Sequence, residues 1–216
     1  MESPLRGTGE QFRLIETFGW WPGRGVPAAD LHLDRLGRSA AAFGFGFDRD
    51  ALAGRIADIK GDAPLRCRLT LGRAGDAGLT VVPLPPSAAE WTAIIAPDLL
   101  DPHDPWLRHK TSNRALYDQT RAEMPAGVDE AIFFNTDGHL CEGTITTLFV
   151  TLADGRRVTP ALSCGLLPGV YRQQELAAGR AKEALITRAE LSRARSVTAA
   201  NALRGEIRLH LMPQPG

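Results

Sequence analysis

Lysine is scarce in this chain, supplying only three of its 25 basic residues. One of the three, Lys110, stands in His109-Lys110-Thr111-Ser112-Asn113-Arg114. Glu142-Gly143 follows at the end of a predicted strand. Then comes Gly165-Leu166-Leu167-Pro168-Gly169-Val170-Tyr171-Arg172, a glycine-flanked turn opening a predicted helix. Taken singly, these are a solvated lysine, a turn glutamate and an ordinary helix cap. Taken in order, they are an amine, a carboxylate and a set of backbone N–H groups at a helix start, where the macrodipole favours an anion. Pyridoxal phosphate chemistry needs those three things: an amine to hold the cofactor and move protons, a carboxylate at the pyridine nitrogen, and donors for a dianionic phosphate. Arg35, on the first predicted helix, adds a guanidinium that can meet a phosphate through parallel hydrogen bonds.

The remaining composition excludes other chemistries. Basic and acidic residues balance at 25 each, and the arginines are dispersed, so neither nucleic acid nor an anionic membrane is an expected partner. Cys67, Cys141 and Cys164 have no CxxC spacing, and the five histidines show no HExxH pattern. No disulfide framework and no metal site are expected, and a reducing cytoplasm is the simplest compartment. Met1-Glu2-Ser3-Pro4 does not begin a secretory signal, and no apolar run reaches the ~18 residues of a membrane helix. With 44% hydrophobic and 23% charged residues, the chain has the profile of a soluble globular protein.

The elements that must position these residues can be read from periodicity. Residues 12–20 form a predicted strand, followed by the turn Trp21-Pro22-Gly23-Arg24-Gly25. Residues 28–43 and 48–59 form predicted helices, the first with Leu33, Leu36, Ala40 and Phe43 on its apolar stripe. Strands follow at 65–71 and 79–82. Pro83-Leu84-Pro85-Pro86-Ser87 then places a domain boundary, since proline cannot continue a ladder. Beyond it we expect a strand at 92–96, a proline-rich loop, a helix at 115–123, and a hairpin of 131–134 with 140–142 around Asp137-Gly138. A strand at 148–152, a helix from Gly169 to Gly179, a capping box at Thr187-Arg188-Ala189-Glu190 and strands at 196–200 and 206–211 complete the chain. The fold class is α/β (α+β), with a smaller N-terminal domain over 1–84 and a second over 88–216 that carries Lys110.

Four segments together resemble the class IV aminotransferase family, the fold-type IV pyridoxal phosphate enzymes. They are His32-Leu33-Asp34-Arg35-Leu36, Lys110-Thr111-Ser112-Asn113-Arg114, Glu142-Gly143 with Leu148-Phe149, and Leu167-Pro168-Gly169-Val170-Tyr171-Arg172. The resemblance runs in order from Phe12 to the C-terminus. It implies two α/β domains, the second a pseudo-barrel, with the cofactor between them, in a homodimer. Lys110 matches the cofactor-holding lysine and Glu142 the pyridine partner. Arg35 matches the phosphate arginine, Val170 and Tyr171 the backbone phosphate cup, and Thr198, in Thr198-Ala199-Ala200, the segment that holds phosphate and substrate carboxylate.

Within the family, the chain looks most like the 4-amino-4-deoxychorismate lyases. The segment Lys110-x-x-Asn113-Arg114 is similar to theirs, and Thr17 falls where lyases place a hydroxyl near the cofactor. The opening Phe12–Thr17 segment, the Trp-Pro-Gly-Arg-Gly turn and Ser163–Gly169 look especially like the lyase half of fused synthase–lyase chains. The implied reaction, a step of folate biosynthesis, converts 4-amino-4-deoxychorismate to 4-aminobenzoate and pyruvate. Its catalytic residues are Lys110, Glu142 and Thr17, and an aminodeoxychorismate synthase is the pathway partner. A transaminase acting on branched-chain or D-amino acids and a non-catalytic relative are the alternatives. Arg114, Arg204 and Asn201 are expected substrate contacts, with Arg68 and Arg108 as further candidates for a substrate carboxylate. Two features depart from the family pattern. Thr147 stands where relatives carry asparagine, and only eleven residues precede Phe12, which bears on the cofactor lid and part of the subunit contact.

Overall fold

A computed structural model describes residues 11–213. The reading of Met1–Pro4 lies outside them. The chain divides into two compact units. The first runs to Pro86 and takes in His109–Asn113; the second comprises Ser87–Arg108 and the chain from Arg114 onward. The first unit ends within the proline-rich segment, at Pro86, and the Lys110 segment groups with it and not with the second unit. The reason is backbone pairing, described below, which no local pattern around Lys110 announces.

In the first unit, β1 (Leu14–Trp20) leads through a turn to α1 (Ala29–Phe43) and α2 (Arg49–Ala57), and then to β2 (Leu65–Leu71) and β3 (Ala77–Pro83). The three strands form an antiparallel sheet in the order β1-β2-β3. Turn residues Trp21 and Gly25 exchange both backbone bonds, at 3.0 and 2.9 Å. Alternation gives β1 one face with Leu14, Glu16 and Phe18 and another with Ile15 and Thr17. Buried Leu14, Phe18, Cys67, Leu69 and Leu71 supply the sheet's apolar contribution to the core, and Leu33, Leu36, Ala40 and Phe43 supply that of α1. Asp48 caps α2, its side chain accepting from the Ala51 amide at 3.0 Å.

The second unit contains β4 (Glu90–Leu100), α3 (Ala115–Glu123), β5 (Glu130–Asn135), β6 (Leu140–Gly143), β7 (Thr147–Thr151) and β8 (Arg157–Pro160). It continues with α4 (Val170–Ala177), β9 (Lys182–Ala184), α5 (Arg188–Ser192), β10 (Ser196–Asn201) and β11 (Gly205–Leu211). Its eight strands form one mixed sheet in the order β6-β5-β4-β11-β10-β7-β8-β9. Although β6 is an end strand in that order, it also contacts β7 and β8, so the sheet curls back on itself. Ile132, Leu140, Leu148, Val150 and Ala199 pack into one buried cluster of this unit.

Two local expectations need correction, and two strands were not expected. The strand expected at 92–96 runs from Glu90 to Leu100 through Pro97, because the β4–β5 register shifts between Ile95 and Leu99 and leaves the proline outside the ladder. The short strands β8 and β9 carried no period-2 signal of their own; parallel pairing between them brings them into the sheet. Helix α1 starts at Ala29, with Ala28 as a left-handed N-cap at φ 55°.

Candidate active site

The first unit fixes Lys110 by clamping its neighbours. The amide of Ile15 donates to the Lys110 carbonyl at 2.8 Å, and the Ser112 amide donates to the Arg13 carbonyl at 2.9 Å, around an antiparallel bridge between Leu14 and Thr111. His109 packs edge-to-face on Phe43 of α1 at 4.8 Å and shares a 2.9 Å hydrogen bond with Ser39. Burial lowers the His109 pKa. Since His109 is turned to the α1 face, alternation sends the Lys110 side chain to the other face, opposite Ile15. Thr17 shares that face two residues along β1, and Arg68 of β2 is its direct cross-strand partner. An amine, a hydroxyl and a guanidinium are thus presented on one side of a small sheet.

The opposite face carries a buried ionic cluster that sequence reading did not single out. Arg35 of α1 donates from Nε to Glu16 Oε1 at 2.8 Å and from Nη2 to Glu16 Oε2 at 2.6 Å, while His32 Nδ1 lies 2.6 Å from the same Oε2. Burial raises the Glu16 pKa, but the Arg35 charge and the hydrogen bonds from His32 and Arg35 outweigh it and leave the value at about 2. The arginine expected at the phosphate is thus held by a carboxylate, and any phosphate role must be shared with that pair.

The second unit builds a different constellation around Glu142 on β6. Tyr117 of α3 donates its hydroxyl to Glu142 Oε1 at 2.6 Å, and the Leu167 amide donates to Oε2 at 3.0 Å. The second bond ties the carboxylate to the turn Leu167–Tyr171. That turn passes close to β7: a Cβ added at Gly169 would lie 2.6 Å from Thr147 Oγ1, so the approach requires glycine. Val170 and Tyr171 open α4, and their amides therefore have no acceptor within the helix. Buried Arg172 anchors this turn by donating to the Pro160 carbonyl at 2.8 Å and pairing with Glu183.

Behind Glu142, a second carboxylate shapes the backbone. Glu130 is fully buried and accepts from the Thr144 amide at 2.9 Å, the Thr146 hydroxyl at 2.7 Å, the Ile145 amide at 3.4 Å and the Thr144 hydroxyl, with Arg121 at 3.5 Å. A Cβ at Gly143 would come within 2.8 Å of its carboxylate. The glycine after Glu142, which sequence reading credited with close approach to a ligand, makes room for Glu130.

Each unit offers part of what pyridoxal phosphate chemistry needs: an amine in the first, and in the second a hydrogen-bonded carboxylate and a glycine-tightened helix start. The family model Amino-transferase class IV matches residues 13–211, almost the whole described chain. The chain belongs to the class IV aminotransferase family. A solved structure from Mesorhizobium loti, named "Putative amino-acid aminotransferase", is 42% identical, with 93% of this chain and 100% of that chain covered and a TM-score of 0.88. A Schizosaccharomyces pombe protein named "Putative aminodeoxychorismate lyase" is 27% identical over 195 residues, covering 85% of this chain and 84% of that one. A Legionella pneumophila structure named "Putative 4-amino-4-deoxychorismate lyase" has a TM-score of 0.81 over 92% of this chain and 82% of that one; at 23% identity it speaks to fold alone. The architecture is that of the fold-type IV aminotransferase structures.

Other residues expected at the site of this class IV chain do structural work in the second unit. Arg114 donates to Asp118 at 2.7 Å and to the Thr144 carbonyl at 3.0 Å, with its guanidinium over the Tyr117 ring. Asn201 accepts from the amides of Leu203 and Arg204 at 3.0 Å each, building the β10–β11 turn, and Arg204 stacks over Trp91. Arg108 donates to the Leu162 carbonyl. The side chains of Thr198 and Tyr171 meet at Glu206, Thr198 Oγ1 donating at 3.2 Å and Tyr171 Oη at 3.1 Å, and Arg157 pairs with the same carboxylate. Burial, then Glu206, pushes the Tyr171 phenol up to about 12. Glu16, Tyr117, Glu130 and Glu206 are the residues missed. Glu130 lies just before the expected strand 131–134 and Glu206 at the start of the expected strand 206–211, and only tertiary pairing reveals them.

Among the described residues, no group of three or more His, Cys, Asp or Glu side chains could hold a metal ion, and no helix is long and apolar enough to cross a membrane.

Proposed function

We propose that this chain is a pyridoxal-phosphate-dependent lyase that converts 4-amino-4-deoxychorismate to 4-aminobenzoate and pyruvate. The observation that carries the reading is the shared face of Lys110 and Thr17, with Arg68 beside them. An elimination of this kind needs a base for one proton, a donor for the leaving oxygen and a cation for a carboxylate, and that face offers all three. The cofactor, when bound, supplies an electron sink for the ring carbon that bears the amino group.

Lys110 holds the cofactor and then removes the proton from that carbon. Thr17 passes a proton to the enolpyruvyl oxygen as its bond to the ring breaks, and enolpyruvate tautomerises to pyruvate. Glu142 keeps the pyridine nitrogen protonated. The amides of Val170 and Tyr171, with Thr198, are assigned to the phosphate, while Arg35 is engaged by Glu16 on the other face of the β1 sheet. Of the arginines weighed for a substrate carboxylate, Arg68 is assigned to it because it is the direct cross-strand partner of Thr17. The same reading has the enzyme act as a homodimer in the cytoplasm on substrate from a separate synthase.

The test is release of 4-aminobenzoate and pyruvate by wild type, Lys110→Ala and Thr17→Val. Lys110→Ala is expected to lose more than ~100-fold, and Thr17→Val about 100-fold in kcat with cofactor binding retained. A transaminase is the second reading, favoured by the name of the Mesorhizobium loti relative at 42% identity. Glutamate formation from 2-oxoglutarate, without 4-aminobenzoate release, would establish it instead.

A further inference from the structure

Glu142 is held at both oxygens, and the two donors differ in kind. The Leu167 amide at Oε2 belongs to the backbone of the turn and is there whatever the side chain. The Tyr117 hydroxyl at Oε1 is a side-chain donor on another element, α3, 2.6 Å away. Nothing in the chain's motifs assigns Tyr117 a role.

Its surroundings make the phenol a fixed donor. The ring stands edge-to-face on Phe133 of β5 at 5.3 Å, and the Arg114 guanidinium lies 5.4 Å from its centroid on another side. Burial, then the Glu142 charge, raises the phenol pKa far above its ordinary range, so it stays protonated across the working pH range. A packed ring has little freedom to swing, and a hydroxyl beside a carboxylate has one strong acceptor.

We propose that Tyr117 is a positioning residue for Glu142: its hydroxyl fixes Oε1, so that the carboxylate meets the pyridine nitrogen of bound pyridoxal phosphate in a single orientation. This rests on the cofactor assignment above. Without the hydroxyl, Glu142 loses its side-chain donor at Oε1, which loosens the orientation of the carboxylate and weakens its grip on the ring nitrogen. Tyr117→Phe removes one oxygen and retains the ring packing.

The experiment is a double-mutant cycle in pyridoxal phosphate binding to the purified chain, comparing wild type, Tyr117→Phe, Glu142→Gln and the double variant. Tyr117→Phe is expected to weaken binding about tenfold in the wild-type background and less than about twofold in the Glu142→Gln background. The pH at which the absorption of the bound cofactor changes should also move in Tyr117→Phe and not move further in the double variant. An equal loss in both backgrounds would mean that Tyr117 only packs, and an unchanged Tyr117→Phe would mean that the hydroxyl does nothing; either result overturns the inference while leaving the cofactor assignment intact. A wild-type chain that binds no pyridoxal phosphate would remove that assignment, and the inference with it.

Discussion

At the scale of single residues, the buried carboxylate of Glu16 makes the most direct physical prediction. Its pKa is about 2 in the folded chain against an ordinary value of 4.5, because Arg35 and His32 together outweigh burial. Stability from this group is therefore fully present above about pH 4.5 and is lost as pH falls towards 2, where the unfolded chain takes up the proton first. The shift corresponds to about 3 kcal/mol at neutral pH. Glu16→Gln should cost about 3–5 kcal/mol, since it leaves the Arg35 charge buried without its counter-charge. Urea midpoints followed from pH 7 to 2 should fall for wild type and converge on those of the variant; parallel curves would mean that the pair is not what titrates. Lys110 is one of three lysines in the chain, and backbone bonds to β1 hold the segment that carries it. Glu16 was invisible because a glutamate inside a strand reads as a solvated position until α1 covers it.

At the scale of elements, Glu130 is the example. It begins β5 and faces the loop after β6, accepting from Thr144, Ile145 and Thr146. Glu130→Gln keeps an acceptor on one side and turns a donor towards the other. The variant should lose about 2 kcal/mol of stability. Hydrogen exchange at the Ile145 amide should speed up, while that in β10 stays slow. Equal exchange in both proteins would show that the loop holds its own shape. The helices, the hairpin around Asp137-Gly138 and the capping box at Thr187 were legible because capping and turn chemistry are local: Thr187 accepts from the Glu190 amide at 3.2 Å while the Glu190 carboxylate accepts from the Thr187 amide at 2.9 Å. Strands β8 and β9 were not, since strands this short are stabilised only by their neighbours in the sheet.

At the scale of the whole molecule, the chain leaves its first unit at Pro86 and returns to it for His109–Asn113. A fragment comprising 87–216 would carry Lys110 but lack the β1 edge that receives it. We expect the Ser112 amide, bonded to the Arg13 carbonyl in the full chain, to exchange rapidly in that fragment, and the fragment to retain no pyridoxal phosphate. Slow exchange there would show that the segment orders itself. The sequence by itself determined the chemistry on offer and the family, because an amine, a carboxylate and a glycine-bounded helix start are properties of residue type and order. It also determined most of the elements, whose periods and caps act over a few residues. Only the tertiary structure decided which strand holds Lys110, that Thr17 shares its face, that Arg35 is paired with Glu16, and that Tyr117 and Glu130 stand behind Glu142. Those facts depend on pairing between segments far apart in the chain, where register and side-chain alternation choose the face and no local pattern does.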